Sequence, residues 1–376
     1  MRSPIVPSLA VAVFAVACTP DQSIYKKPDD NVAVNPGQLS GRVCDASGKT
    51  WLQDATVYTH VKDGERIIET KVAYTDRDGF WLIEELPAER AYDIFIQYGS
   101  DRLWEQEEYN VWLADGQKLE LDEPDCFDPL QIDVAIVSGS YDDFALVLQN
   151  MGFGNYVEVD GLDDEELIGF LTDLDNLLSY DIIFFDGGGQ EAGIFYEDPV
   201  STEDEPGIGE EGEVEDTGVT PLYETVQANL QAYVANGGSI YASDWAYDIV
   251  EQTWSDRLDF VGDDTVADAA QLGEYDLVNA AVSDTSLANW LDADYIQVEY
   301  DLPVWAPVES ASDSVSVHLK GNVSYRVGTS TYSLPTAPLL VSFTAGEGKV
   351  VYSTFRVAKN ASTEMLLVLQ YMMYNL

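Results

Sequence analysis

From Leu130 onward the chain alternates between two hydrophobic periods, and this restricts its architecture more than any single motif does. "IDVAIVSGS" (132–140) is a continuous apolar run with the length of a strand buried on both faces, and "YDDFALVLQNMGF" follows with helical spacing at Phe144, Leu148 and Met151. "NYVEVDG" reads as a second strand, and "DDEELIGFLTDLDNLL" as a second helix with carboxylates in its first turn, where the helix dipole favours them. "YDIIFFDGGG" is a third strand. The helix "PLYETVQANLQAYVANGG" then places Leu222, Val226, Leu230 and Tyr233 on one stripe and stops at Gly237-Gly238. Strands that alternate with helices of this length require crossovers, so the expected sheet is largely parallel and doubly wound.

The strand "SIYAS" leads into Asp244-Trp245-Ala246, with Ala242 and Ala246 two places either side of Asp244. Small residues at that spacing allow a sharp strand-to-helix turn to close around an exposed central side chain, as in nucleophile elbows. This second region resembles the class I glutamine amidotransferase-like fold, a flavodoxin-like sheet. "IIFFDGGG" is similar to the strand and loop whose amides form the oxyanion hole of that family, which would place the hole at Gly187, Gly188 and Gly189. "IYASDWA" is similar to the elbow that carries the family's nucleophilic Cys. The C-terminal stretch "APLLVSFTAGEGKVVYSTFRVAKNASTEMLLVLQYMMYNL" is similar to its last hairpin and helix.

On that resemblance the catalytic set is missing. Asp244 stands for the Cys, Arg356 for the His and Ala358 for the Glu. Covalent acyl transfer needs a nucleophile beside a base, and a guanidinium stays protonated and cannot be that base. The expected outcome is an Asp244–Arg356 salt bridge across the sheet's carboxyl edge. A carboxylate nucleophile at Asp244, served by a Gly187–Gly189 oxyanion loop, is the competing hydrolase reading.

Upstream, Gly37 to Leu121 reads as all β. "GQLSGRVCDASGKTWLQDATVYTHV" alternates around a turn at Ser47-Gly48, and "AYTDRDGFWLIEELP" holds a tight turn at Asp76-Arg77-Asp78-Gly79. Gly41, Val43, Asp45, Gly48, Ala55 and Val57, then Thr75, Asp78, Gly79, Phe80, Leu82, Leu86 and Tyr92, resemble the carboxypeptidase regulatory-like domain. That resemblance implies a small transthyretin-like sandwich with no catalysis of its own. Asp76 and Asp78 read as turn residues, since the further ligands of a calcium loop are missing.

The N-terminus bears on location. Arg2 precedes a short apolar run, Ile5 to Ala17, that ends at Ala15-Val16-Ala17-Cys18 and resembles a bacterial lipoprotein cleavage box. Cys18 is then the lipidated residue, 1–17 the signal peptide and 18–37 a polar, Pro-bearing tether. In an exported chain the remaining pair, Cys44 and Cys126, is expected to be bridged.

Acidic residues number 68 against 18 basic, a formal net charge of −50. Such a surface repels nucleic-acid phosphates and anionic headgroups, so no nucleic acid is expected as a partner and the membrane contact is through the lipid anchor. Solvation accounts for the acidity, and calcium held by the acidic surface is the one cation reading left open. No cofactor and no specific metal site is expected. The acidic loop 197–218 reads as a solvated insertion at the sheet's carboxyl edge. Residues 262–334 read as an inserted mixed segment, in which Trp290, Tyr295, Tyr300 and Trp305 serve either subdomain packing or a sugar face. His318, in the alternating run "SVSVHLKG", reads as a half-exposed strand residue, and no Ser-His-Asp arrangement, P-loop or dinucleotide fingerprint is visible.

The expected architecture is therefore multidomain: a small antiparallel β-sandwich (38–126), then a doubly wound, flavodoxin-like α/β domain (130–376) with an insertion. The expected function is a binding or structural module of the cell envelope, lipid-anchored to the outer membrane, with a glycan, an envelope protein or a divalent cation as ligand.

Overall fold

The computed structural model describes residues 35–98, 104–127, 132–189, 194, 222–262, 269–357 and 361–376. The acidic loop 197–218, Cys18 with its signal and most of the tether, and Ala358 lie outside the described residues. Within them the protein is β-rich and multi-sheet, with twenty strands and seven helices.

The first part holds β1 (Gly37–Cys44), β2 (Thr56–Asp63), β3 (Arg66–Tyr74), β4 (Phe80–Leu86), β5 (Arg90–Tyr98), β6 (Trp104–Leu113), β7 (Lys118–Glu120) and β8 (Asp125–Cys126). One sheet runs β4-β1-β7, with β8 also on β1; the other runs β3-β2-β5-β6. Alternate residues of β1, β2, β4 and β5 turn inward, and Leu39, Val43, Val57, Trp81, Ile83, Tyr92, Ile94 and Ile96 join one core. The pairing is not purely antiparallel as expected, because β7 and β8 both run parallel to β1. The Asp76–Gly79 turn carries the chain from one sheet to the other rather than closing a hairpin. Asp76 Oδ1 accepts from the amides of Asp78 and Phe80, and Gly79 takes φ +68. Cys44 and Cys126 are joined by a disulfide at Cα–Cα 4.3 Å.

The second part contains β9 (Val134–Val137), α1 (Phe144–Asn150), β10 (Tyr156–Val159), α2 (Asp164–Thr172), α3 (Leu174–Leu177), β11 (Ile182–Phe185), α4 (Leu222–Ala235), β12 (Ser239–Ser243) and α5 (Tyr247–Thr253). There follow β13 (Leu258–Phe260), β14 (Leu272–Gly273), β15 (Asp276–Val282), α6 (Thr285–Leu291), β16 (Tyr295–Tyr300), β17 (Val308–Ala311), β18 (Ser316–Val327), β19 (Ser330–Ala345), β20 (Gly348–Ser353) and α7 (Thr363–Tyr374). One ten-stranded sheet runs β10-β9-β11-β12-β20-β19-β18-β15-β16, with β14 paired to β18. Its first five strands are mutually parallel and its remainder antiparallel. The central parallel strands β9, β11 and β12 are buried along their whole length, which is why β9 and β11 read as unbroken apolar runs.

One expectation is corrected here, and one gains detail. The segment 262–334 lies in the chain between the parallel strands β12 and β20, and its strands β14, β15, β16 and β18 extend the same sheet, with β18 and β19 forming the long hairpin that leads back to β20. His318 is not half-exposed. A β-bulge between Val317 and Leu319 falls at this residue of β18, and His318 and Leu319 are both buried. Tyr300 and Trp305 stack at 4.1 Å in the interior, as packing residues do, whereas Tyr295 is 60 % exposed.

The two parts share a polar contact. Asp45, buried beside Cys44, accepts from the amides of Lys49 and Thr50 and from Gln370 Nε2 of α7 at 2.6 Å. Tyr374 of the same helix packs edge-on against Tyr98 of β5.

Candidate functional site

The carboxyl ends of β9, β11, β12 and β20 meet at one edge of the parallel strands, the region where sheets of this kind gather side chains from several loops. β12 ends at Ser243, and Asp244 turns the chain with φ 56, a left-handed conformation that costs a non-glycine residue energy and persists only where the surroundings hold it. Here they do. Asp244 N donates to Ser353 O at 2.8 Å, and Tyr352 Oη donates to Asp244 O at 2.7 Å, both from β20. The elbow is therefore clamped by its neighbouring strand before α5 begins.

β11 ends in Asp186-Gly187-Gly188-Gly189, whose three glycines take φ +63, +86 and +100. A Cβ on Gly188 would lie 2.5 Å from Trp245, so only glycine lets this loop rest on the elbow. The Gly187 amide donates to Ser243 Oγ at 3.3 Å, and Gly188 O accepts from Ser140 N. The loop expected to hold an oxyanion thus has its Gly187 N–H engaged within the protein.

The structure brings Asp244 and Arg356 together but gives Arg356 a nearer partner. Its Nε lies 3.7 Å from Asp244 Oδ2, while Nη2 pairs directly with Asp301 Oδ1 and Nη1 donates to Tyr141 O at 2.7 Å. Asp301 follows β16, so the insertion supplies the carboxylate that Arg356 grips. Two further acids complete the cluster. Asp142 Oδ2 accepts from Val357 N at 3.0 Å, and Asp186 Oδ2 accepts from Phe144 N at 3.0 Å, holding the first turn of α1.

This concentration of carboxylates sets the electrostatics. Asp244 is only 2 % exposed, and its Oδ1 has no hydrogen-bond partner among the described residues. Burial raises its pKa well above the ordinary carboxylate range; Arg356 opposes that, and Asp142, Asp301 and Asp186 reinforce it. A guanidinium already committed to Asp301 does not offset full desolvation, so the 3.7 Å approach is to an acid that favours its neutral form. Asp186 is pushed up to about 8, first by burial and then by Asp142. The space beside Asp244, lined by Tyr300, Asp301, Trp305 and Arg356 among others, is about 10 Å³, at the limit for one water. Among the described residues no group of three or more His, Cys, Asp or Glu is arranged to hold a metal ion.

The Asp186 shift makes a testable statement. A carboxyl whose folded pKa lies above its unfolded value holds an extra proton in the native state, so its contribution falls as pH rises from about 4 to about 8. Asp186→Asn keeps an acceptor for Phe144 N and removes that titration. Compared by urea unfolding, the variant should gain on the parent as pH is raised, with a larger advantage at about pH 9 than at about pH 5. An unchanged difference between the two pH values would contradict the raised pKa.

Asp244, Arg356 and the glycine loop were legible in sequence. Asp142, Asp186 and Asp301 were not, although the "FFDGGG" run placed Asp186 at a strand's carboxyl end, where a buried acid is a recognisable signal.

No protein-family model matches the chain, and no curated protein sequence matches it. Among solved structures it is similar to the cytoplasmic protein STM3548 from Salmonella typhimurium, at 14 % identity over 65 % of this chain and 98 % of that one, with a TM-score of 0.37. Similarity to PurLQS from Thermotoga maritima is of the same order: 13 % identity over 65 % and 98 %, TM-score 0.37. The cytoplasmic protein STM1381 from Salmonella typhimurium LT2 matches at 14 %, over 65 % and 95 %, again at 0.37. Likenesses at this level assign no function.

Proposed function

We propose that this chain is an exported lipoprotein, anchored through Cys18 in the cell envelope at the outer membrane, whose second part keeps an amidotransferase-like frame without amidotransferase chemistry. Its first part is proposed as a carboxypeptidase regulatory-like sandwich. Together they serve as a binding or structural module for a glycan, an envelope protein or divalent cations, with no nucleic-acid partner.

The observation that carries this reading is Arg356. It occupies the edge where a general base would sit, cannot accept a proton, and grips Asp301 and Tyr141 O while closing over Asp244. The parallel strand order, 2-1-3-4-5 when numbered along the chain, is the flavodoxin-like order and supports the frame. A second reading, a hydrolase using Asp244, is favoured by one feature: the φ 56 elbow presents a carboxyl at a strand–helix turn.

Ammonia release from glutamine and from simple amides separates the two. The binding module releases none above buffer. Release that disappears in Asp244→Asn establishes the hydrolase. A calcium titration of the unfolding midpoint then tests the cation ligand, and no shift at millimolar calcium removes it.

A further inference from the structure

A second polar constellation lies toward the other end of β20. Asp284, ahead of α6, accepts through Oδ1 from the amides of Ser286 and Leu287, at 2.8 and 3.3 Å. That fixes the carboxylate and leaves Oδ2 facing His318 Nδ1 at 2.7 Å. His318 Nε2 faces Ser342 Oγ of β19 at 2.8 Å. The hydrogen bond from His318 is the main influence holding Asp284 below the ordinary carboxylate range, so the carboxylate is ionised and only accepts. An ionised carboxylate accepts from Nδ1–H, and in the neutral ring Nε2 is then the acceptor for the Ser342 hydroxyl. Each group has the partner, and each ring nitrogen the role, that a serine nucleophile and its base require.

The array also has space beside it. Asp284, His318 and Ser342 line one cavity of about 370 Å³ together with Ser316 and Lys349. Ser316 pairs with Ser342 across β18–β19, and Lys349 pairs with Thr344 across β19–β20, so these side chains share one sheet face. His318 follows Ser316 by two residues and meets Ser342, so its ring lies on that same face. In a chain with only two histidines and 18 basic residues, one His and one Lys converge on this cavity.

We propose that Ser342, His318 and Asp284 form a hydrolytic triad that cleaves small carboxylic esters in this cavity. Ser342 Oγ bonds to the carbonyl carbon as its proton passes to His318 Nε2, and the carbonyl π pair moves to oxygen, in a cavity also lined by Lys349, whose ammonium donates to Asn375 O. The tetrahedral adduct collapses by breaking the bond to the alcohol oxygen, which takes the proton from His318. Water then attacks the Ser342 ester, giving a proton to His318 that returns to Ser342 Oγ as the carboxylic acid leaves. The sum is ester plus water to acid plus alcohol. This activity is independent of the carboxyl-edge reading, which concerns Asp244 and Arg356.

The test uses the full chain with a fluorophosphonate probe and with p-nitrophenyl acetate. The probe should add to Ser342, located by peptide mass mapping, and acetate release should fall by about 10³-fold or more in Ser342→Ala, His318→Asn and Asp284→Asn. A histidine that merely satisfies its hydrogen bonds in the sheet would give a wild-type protein that the probe leaves unmodified at Ser342. That result overturns the proposal even if the variants fail to fold, as does hydrolysis that Ser342→Ala leaves at the wild-type rate.

Discussion

Replacing Cys44 and Cys126 together by Ser is expected to lower stability by about 4–5 kcal/mol, the chain-entropy value for a loop of this length. The bridge closes a sequence separation of 82 residues, spanning nearly every strand of the first part. It also sits at a short strand pair, beside the buried Phe127, whose amide donates to Cys44 O. β8 has only two residues, and its pairing with β1 consists of Val43 opposite Asp125 and Cys44 opposite Cys126. Asp45, the next residue after Cys44, receives Gln370 from α7, so loosening β1 at this end also loosens the contact between the two parts. Urea unfolding of the double variant and of the parent under dithiothreitol should agree with each other and lie well below the oxidised parent. Dithiothreitol should leave the double variant unaffected. An oxidised parent no more stable than either would show that the bond constrains nothing the fold needs.

What the sequence reveals about this protein follows from which forces are local. β9 and β11 are legible because a strand buried on both faces must be apolar throughout, and α4 because Val226, Leu230 and Tyr233 fall on one buried stripe. The elbow is legible because Ala242 and Ala246 record the closeness of the turn. The antiparallel extension of the sheet is not legible, since nothing local in β15 says that it pairs with β18 as well as with β16. The acids Asp142, Asp186 and Asp301 come from loops after three different strands, and only the fold makes neighbours of them. The burial of His318 is not legible for a definite reason: alternation gives its face correctly, but only the fold brings Asp284, ahead of α6, and Ser342 of β19 against the ring on that face.

Arg356→Met should cost about 3–5 kcal/mol, the range for removing one member of a buried charged pair. The guanidinium is 9 % exposed and links three loops at once: Asp301 after β16, Tyr141 after β9, and Asp244 at the elbow. Methionine fills similar space but leaves Tyr141 O without this donor and Asp301 and Asp244 without their nearest cation. The loss should depend on pH with a known sign. Arg356 opposes the upward shift of Asp244, so removing it raises that pKa further and makes ionisation of the carboxyl costlier in the folded state. The variant's deficit should therefore hold steady while Asp244 stays protonated in both proteins and widen once pH rises through the parent's raised Asp244 pKa, where only the parent's carboxyl ionises. Adding Asp301→Asn to Arg356→Met should recover part of the loss, because the double variant no longer carries the carboxylate that the guanidinium neutralised. Asp301→Asn alone should cost less, as Arg356 retains Tyr141 O and Asp244. In a double-mutant cycle the two positions should couple by about 1–3 kcal/mol. Additive effects, or Arg356→Met within about 1 kcal/mol of the parent, would remove Arg356 as the group that closes the carboxyl edge, and would reopen that edge as a place where Asp244 meets a substrate.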